Sequence, residues 1–202
     1  MSEAQTLPAI TTSRLVLRML TADDTDAVYR VFKDPDVMRF WSCEPYTDKA
    51  QAEELILSCQ KGFESREFFQ WGIANAEDDK IIGTCTLFAL DKKNLRSEIG
   101  FALARSYWGK GYMHETLEAL FAFAFEPLGM HRIEADVDPR NERCIATLEK
   151  LGFQREGYMR ERWFVGGERQ DSVFYGLLHA DWLAAAPEEP EQPEAPDESG
   201  SE

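Results

Sequence analysis

The chain has 202 residues, is 44% hydrophobic and carries a formal net charge of −15, which predicts one domain with a substantial buried core. The acidic balance argues against direct nucleic-acid binding, since phosphate contacts need a basic face, and it favours basic partners instead. The sequence contains no run of about eighteen apolar residues and no signal-peptide pattern, so we expect a cytoplasmic protein that does not enter a membrane.

The cysteines give no sign of a metal site. Cys43, Cys59, Cys85 and Cys144 have no Cys-x-x-Cys spacing, and the chain has only three histidines. We therefore expect reduced thiols and no bound metal.

The end of the chain differs in composition from the rest. Seven of the 37 acidic residues and none of the 22 basic ones lie in residues 187–202, together with four prolines. This segment cannot bury enough apolar surface to offset the entropy cost of ordering it. We predict a single domain over residues 1–186 and a disordered acidic tail over residues 187–202.

The first third of the chain predicts one strand and two helices. Residues 14–20 alternate as an opening strand, and Thr21 then offers a cap for a helix that stops before Pro35. A second helix begins at Thr47. An aromatic loop, residues 40–46, connects the two helices.

The remaining elements follow from periodicity and turn residues. We predict a hairpin of residues 69–74 and 80–90, a strand over 98–104, a helix after Gly111, a strand over 131–137, a helix from 141 to 152, and strands over 153–164 and 170–179. The resulting order, β-α-α-β-β-β-α-β-α-β-β, is α+β with a mixed sheet.

A Gly-Lys-Gly turn between the strand at 98–104 and the next helix predicts an anion site. The unpaired N–H groups at a helix start, with the positive end of the helix dipole, bind phosphate without any side chain. Gly-x-Gly alone is weak evidence and also fits an ordinary turn. A second strand–helix unit over residues 132–153, with Asn141 and a Leu-Glu-Lys-Leu-Gly-Phe ending, favours the anion site.

The two units together resemble those of the Gcn5-related N-acetyltransferase (GNAT) superfamily. The family's pyrophosphate loop, Gln/Arg-x-x-Gly-x-Gly/Ala, corresponds to residues 108–113, with Trp108 and Met113 departing from the pattern and Gly111 keeping it. The residues of the two motifs are most similar to those of the RimJ/RimL branch, which acetylates the N termini of ribosomal proteins. The resemblance implies the GNAT fold, a mostly antiparallel mixed sheet with helices on both faces.

The resemblance also implies that acetyl-CoA is the co-substrate and that it lies in a V-shaped gap between the strands at 98–104 and 131–137, beside a bulge. Pantetheine amides can pair with an open strand edge as an added strand would. The implied cofactor contacts are the backbones of Phe101, Ala102 and Leu103, the N–H groups of Trp108, Gly109, Lys110, Gly111, Tyr112 and Met113, and the amide of Asn141. Lys110 and Arg105 are the predicted cations at the rim.

Asn141 also fits a simple helix cap, and the two roles are compatible. Cys144 stands where the branch usually has a serine, and Leu148 where many members have the tyrosine that protonates the departing thiolate. Cys144 is therefore either a weak acid or a packing residue.

We expect a neutral amine to attack the thioester directly, without a covalent enzyme intermediate. Glu98 is the preferred general base. The other base candidate, Glu115, also fits simple stabilisation of a helix N-terminus.

The predicted acceptor contacts are Trp41, Tyr46 and Tyr158, although an aromatic loop packed on the core explains the first two equally well. The acceptor is either a protein N terminus, whose α-amine has a pKa of about 7.7–8.0, or a small amine. A non-catalytic acyl-CoA-binding module is the alternative of another class. The chain is expected to be a monomer or a homodimer.

Overall fold

The computed structural model describes residues 7–185, so the predicted tail over residues 187–202 lies outside the described residues. The strands are β1 Ile10–Thr11, β2 Leu15–Arg18, β3 Phe69–Asn75, β4 Ile81–Asp91, β5 Arg96–Leu103, β6 Arg132–Val137, β7 Gln154–Val165 and β8 Glu168–Leu178. The helices are α1 Thr25–Phe32, α2 Pro35–Met38, α3 Lys49–Ser65, α4 Tyr112–Phe125, α5 Glu142–Lys150 and α6 His179–Ala185, with 3-10 turns at Ala22–Asp24 and Arg105–Tyr107.

The strands form one eight-stranded sheet in the order β1-β2-β3-β4-β5-β6-β8-β7. Neighbouring strands are antiparallel throughout, except for β5 and β6, which are parallel. The predicted mixed, mostly antiparallel sheet is thereby confirmed. Because a parallel pair needs a crossover connection, α4 links β5 to β6.

Helices cover both faces of the sheet, as predicted. Alternate residues of β3 divide between two cores: Trp71 and Ile73 pack with α4, whereas Ala74 packs with α1 and α3. Trp71 is fully buried, and its indole N–H donates to the Pro8 carbonyl at 2.9 Å. The sheet therefore separates two apolar layers.

Local signals account for the helix boundaries. Helix α1 ends at Phe32, before Pro35, and α3 follows Asp48, whose side chain accepts a hydrogen bond from the Ala50 N–H at 2.9 Å. Gly166 and Gly167 form the turn between β7 and β8, with φ of 56° and 83°.

Three elements were missing from the sequence-based order. Strand β1 has two residues, too few to show alternation, and α2 is a single turn begun by Pro35 after the Asp34 cap. Helix α6 follows β8 directly and packs Trp182 on Phe125, with ring centroids 5.4 Å apart.

Within residues 7–185 no helix has the length and apolar character that crossing a membrane requires. The same part of the chain has no cluster of three or more His, Cys, Asp or Glu side chains that could hold a metal ion.

Candidate active site

Strands β5 and β6 are paired over only part of their length. The parallel ladder joins Arg96–Glu98 to Arg132–Glu134 and then stops, although both strands continue. A gap therefore opens between them, at the place that the family resemblance implies. On the other side of β5, the register with β4 shifts between Phe88 and Asp91, where Ala89 has a φ of 50°. This bulge lies opposite Ser97, where β5 is still paired with β6, and so at the closed end of the gap.

The main chain of β5 presents unpaired groups to this gap. The Ala104 N–H donates to the Ile82 carbonyl at 2.8 Å, and bonding in an antiparallel ladder alternates from one residue to the next. The main-chain groups of Ile99, Phe101 and Leu103 consequently point away from β4. Since the ladder with β6 ends at Glu98 and Glu134 and uses the Ile99 N–H, the open groups at the gap are the C=O of Ile99 and the N–H and C=O of Phe101. These are the positions at which an extended ligand can add hydrogen bonds to the sheet.

The same alternation corrects one predicted contact. Ala102 pairs with Thr84, so its main-chain groups point to β4 and contribute nothing to the gap. The sequence pattern located the strand but not the direction of its hydrogen bonds. The Leu103 carbonyl is already occupied, because it accepts a hydrogen bond from Trp108 Nε1 at 2.7 Å.

The loop after β5 has the geometry of an anion cradle. Gly109 and Gly111 have φ of 71° and 78°, in the left-handed region that glycine adopts without strain, and α4 starts immediately afterwards. No side chain caps this helix start. The first N–H groups of α4, at Tyr112 and Met113, thus have no partner within the helix and can bind an anion together with the helix dipole.

The predicted rim cations are engaged elsewhere. Lys110 Nζ donates to the Ser106 carbonyl at 2.8 Å, and Arg105 forms an ion pair with Asp36. The sequence analysis missed Arg143, whose guanidinium lies 5.1 Å from the centroid of the Trp108 ring. Arg143 is exposed and makes no ion pair within residues 7–185. A cation in the first turn of a helix interacts unfavourably with the helix dipole. The position of Arg143 at the start of α5 could therefore have indicated a functional role from the sequence.

Glu98 is half-buried at the base of the gap, on the face covered by α1 and α3. Glu134 pairs with Arg96 at 2.6 Å, and Asp136 pairs with Arg162 at 2.7 Å. Glu98, in contrast, makes no hydrogen bond or ion pair in the described part of the chain. Burial and the neighbouring carboxylates raise the pKa of Glu98, with Arg162 and Arg96 opposing the rise. The carboxylate is thus free to accept a proton.

Glu115 has the opposite environment and is a poor base. It accepts hydrogen bonds from Thr12 Oγ1 at 2.6 Å, from the Arg14 N–H at 2.8 Å and from Ser13 Oγ at 2.9 Å. Burial favours the neutral acid, but these donors and the Arg14 guanidinium outweigh it and lower the pKa of Glu115 to about 2. The carboxylate holds the chain before β2 against α4, which is a structural role.

Asn141 caps α5, as predicted, by accepting a hydrogen bond from the Cys144 N–H at 3.2 Å. Burial raises the pKa of the Cys144 thiol to about 12. A thiol this weakly acidic is a poor proton donor to a departing thiolate with a pKa near ~8.5. Cys144 packs against the core beneath α4, and Leu148 is fully buried. The geometry therefore favours packing for Cys144.

Two of the three predicted acceptor residues lie together. Trp41 and Tyr46 both pack on Phe32, with ring centroids 5.4 Å and 5.2 Å away, and both line a cavity above the sheet. Burial raises the pKa of Tyr46 to about 12, so its hydroxyl stays protonated. Tyr158 lies apart on β7, is 48% exposed and donates its hydroxyl to Asp171. It does not line the cavity within the described residues.

The chain matches a known domain family over most of its length. The model of the acetyltransferase (GNAT) domain matches residues 14–154. The uncharacterized N-acetyltransferase p20 of Bacillus licheniformis is 34% identical over 85% of this chain and 96% of its own length. The spermidine N(1)-acetyltransferase of Vibrio cholerae is 25% identical over 85% of this chain and 96% of its own, and the [ribosomal protein uS5]-alanine N-acetyltransferase of Escherichia coli is 26% identical over 86% and 92%.

Solved structures share the fold. The acetyltransferase (GNAT family) from Bacillus anthracis has a TM-score of 0.75 at 24% identity, covering 85% of this chain and 98% of its own. The spermidine N-acetyltransferase from V. cholerae, solved with CoA and spermine, has a TM-score of 0.75 at 24% identity, covering 85% and 99%. With the gap, the glycine loop and relatives named as N-acetyltransferases, these matches answer the question of family: the chain belongs to the GNAT acetyltransferases and is an N-acetyltransferase.

Proposed function

We propose that the chain transfers the acetyl group of acetyl-CoA to the α-amine at a protein N terminus, by direct attack in a ternary complex. The observation that carries the proposal is the arrangement around the gap. An anion cradle lies after the end of β5, open main-chain groups line its edge, and the unpaired carboxylate of Glu98 lies at its base.

The residues around the gap fit acetyl-CoA. The N–H groups from Gly109 to Met113 would hold the pyrophosphate, with Arg143 supplying positive charge. The Trp108 N–H, which was also a predicted contact, donates instead to the Arg105 carbonyl at 3.2 Å. The C=O of Ile99 and the N–H and C=O of Phe101 would pair with the pantetheine amides, since they lie beyond the last ladder pair of β5 with β6. When bound, acetyl-CoA supplies the activated thioester.

Glu98 acts on the acceptor. Its side chain would take the proton that the amine loses as the amine nitrogen attacks, directly or through water. An α-amine with a pKa of about 7.7–8.0 is already partly neutral near pH 7, so it needs only a weak base. A lysine amine near ~10.4 needs more help. The single carboxylate of Glu98 therefore suits an α-amine.

A small amine is the second candidate acceptor, because a relative of similar identity is a spermidine N(1)-acetyltransferase. Peptides with free N termini and a panel of small amines, assayed for CoA release, separate the two. We expect peptides to be acetylated with the higher kcat/KM. Turnover of polyamines with no peptide turnover would contradict the proposed acceptor.

Glu98→Gln tests the base. We expect a 10²–10⁴-fold loss in kcat, the usual contribution of general base catalysis, with little change in acetyl-CoA affinity measured by calorimetry. Glu44→Gln, an exposed carboxylate in the aromatic loop, is the control and should retain activity. Full turnover by Glu98→Gln would remove the base assignment. We also propose a cytoplasmic location, which cell fractionation would test.

A further inference from the structure

A cavity of about 270 Å³ lies on the Glu98 face of the sheet. Its floor is a row in register across three strands, in which Gln70 pairs with Thr86 and Thr86 pairs with Gly100. Aromatic and aliphatic side chains form its walls: Phe32, Trp41, Tyr46, Leu55, Phe68 and Phe88. The volume is slightly below the ~300–1,000 Å³ typical of small-molecule sites, which suits one side chain.

The cavity opens next to the predicted base. Glu98 pairs with Phe88, a wall residue, and lies two residues from Gly100 on the same face of β5. Two residues of a strand span about 7 Å. An amine positioned at Glu98 would therefore have the cavity within reach of a side chain carried on the adjacent carbon.

The polar character of the cavity is concentrated at its floor. Gln70 is 7% exposed, lines the cavity and makes no side-chain hydrogen bond within the described residues. Its amide therefore keeps its hydrogen-bonding capacity for a polar group that enters the cavity. No charged side chain lines the cavity in the described part of the chain, so an ammonium or carboxylate placed there would lose its hydration without compensation.

We propose that this cavity receives the side chain of the residue whose amine is acetylated, and that this side chain is uncharged, with an apolar body and a hydrogen-bonding end that meets Gln70. The inference rests on the proposed acetyl transfer and adds a selectivity to it. It places the cationic chain of a polyamine outside the cavity, because no carboxylate among the lining residues would pair with it.

The test uses tripeptide amides Xaa-Ala-Gly that differ only at the first residue. With the wild-type chain we expect kcat/KM to be highest for Tyr, lower for Phe and Gly, and at least about tenfold lower for Lys and Asp than for Tyr. Gln70→Leu keeps the shape but removes the hydrogen-bonding end, and it should lower turnover of the Tyr peptide about fivefold while leaving the Phe peptide nearly unchanged.

Ser58→Phe is an independent test from the opposite wall. Ser58 lies on α3 and lines the cavity, so the larger side chain should fill it. We expect the Tyr and Phe peptides to lose at least about tenfold in kcat/KM, while the Gly peptide and CoA affinity stay within about twofold. Unchanged CoA affinity also shows that the variant folds.

The outcomes distinguish the inference from the proposed function. Acetylation of all peptides at similar rates, or an equal effect of Ser58→Phe on the Gly and Tyr peptides, would overturn the inference alone. If the chain binds CoA but acetylates no amine, the proposed function falls and the inference with it.

Discussion

Two glutamates of this chain show how local contacts decide between chemistry and structure. Glu98 is half-buried, feels the negative charges of Glu134 and Asp136 and makes no hydrogen bond within the described residues, so its pKa rises. Glu115 accepts four hydrogen bonds, one of which is its ion pair with Arg14, so its pKa falls. Environments that push two carboxyl groups in opposite directions assign their roles, and only the first fits a base.

The negative charge of Glu134 helps to raise the pKa of Glu98, and this leads to a prediction about the pH dependence of the reaction rate. A base works when deprotonated, so the rate should rise with pH through the raised pKa of Glu98. Glu134→Gln removes a neighbouring negative charge, and the acid limb of the kcat profile should shift to lower pH. The measurement needs a weakly basic acceptor amine that stays neutral throughout. Glu156→Gln, which removes the other acidic partner of Arg132, is the control and should leave the limb in place.

Glu115→Gln should destabilise the fold at pH 7 by up to about 3 kcal/mol, because the lowering of the Glu115 pKa from 4.5 to about 2 sets an upper limit near that value and Gln keeps an oxygen acceptor. A carboxyl group whose folded pKa is lowered contributes stability above its unfolded pKa and loses it as the pH falls through the folded one. In urea unfolding, the difference in the free energy of unfolding between wild type and variant should therefore decrease as the pH falls from about 4.5 towards 2.

Glu118→Gln is the matched control for this stability measurement. Glu118 lies on the same helix, has a side chain that is 58% exposed and pairs with His114. We expect a change below about 0.5 kcal/mol. Equal destabilisation by both variants at pH 7 would show that the contacts of Glu115 do not stabilise the fold.

At the scale of elements, the loop before α4 and the first turn of α5 form one unit. Trp108 joins them, because its indole N–H donates to the carbonyl of Leu103, the last residue of β5, and the Arg143 guanidinium lies over its ring. The family pattern has Gln or Arg at the position of Trp108. In this chain, a cation from a different helix lies over that position.

This geometry predicts a specific binding defect. Arg143→Ala should weaken CoA binding about tenfold, since a charge-assisted contact to phosphate contributes about 1.5–3 kcal/mol. Pantetheine, which has no phosphate, should bind both forms equally in calorimetry. Comparison with 3′-dephospho-CoA shows which phosphate Arg143 meets. Lys150→Ala removes the same charge at the other end of α5 and should have no effect. Equal loss for pantetheine would contradict a phosphate contact.

Most elements could be predicted from the sequence because their signals are local. Helix α5 has a cap at Asn141 and ends near Gly152, and the β7–β8 hairpin has two adjacent glycines. The predictions that failed concern features that depend on tertiary contacts, which the sequence does not show. Whether Ala102 faces β4 or the gap depends on strand register, and whether Lys110 is free depends on the Ser106 carbonyl. Arg143 reaches Trp108 only through the fold.

At the scale of the whole molecule, the proposed cofactor-binding and acceptor-binding groups lie on opposite faces of the sheet. The anion cradle begins α4, which packs on one face, while Glu98 and the cavity lie on the face covered by α1 and α3. The gap between β5 and β6 is the passage between the two. The cofactor and the acceptor can therefore approach from different sides.

The acidic segment 187–202, proposed here to lie outside the acetyltransferase domain of residues 1–186, gives a prediction about charge. It carries seven acidic residues of a chain with net charge −15, so its removal should raise KM for basic peptides at low salt. At about 0.5 M salt, screening should abolish the difference. The midpoint of thermal unfolding should not change. A large loss of thermal stability would contradict the domain boundary.

The hydrogen bond from Trp108 to the Leu103 carbonyl has a consequence for the kinetics of ligand capture. It holds the glycine-rich turn against the sheet, so the turn is already ordered when the protein has folded. Ligand binding then does not have to supply the entropy cost of ordering it. An incoming diphosphate then meets donors already in place. Trp108→Phe keeps an aromatic ring for Arg143 but removes this hydrogen bond, and the turn would have to reorganise around each coenzyme molecule that arrives.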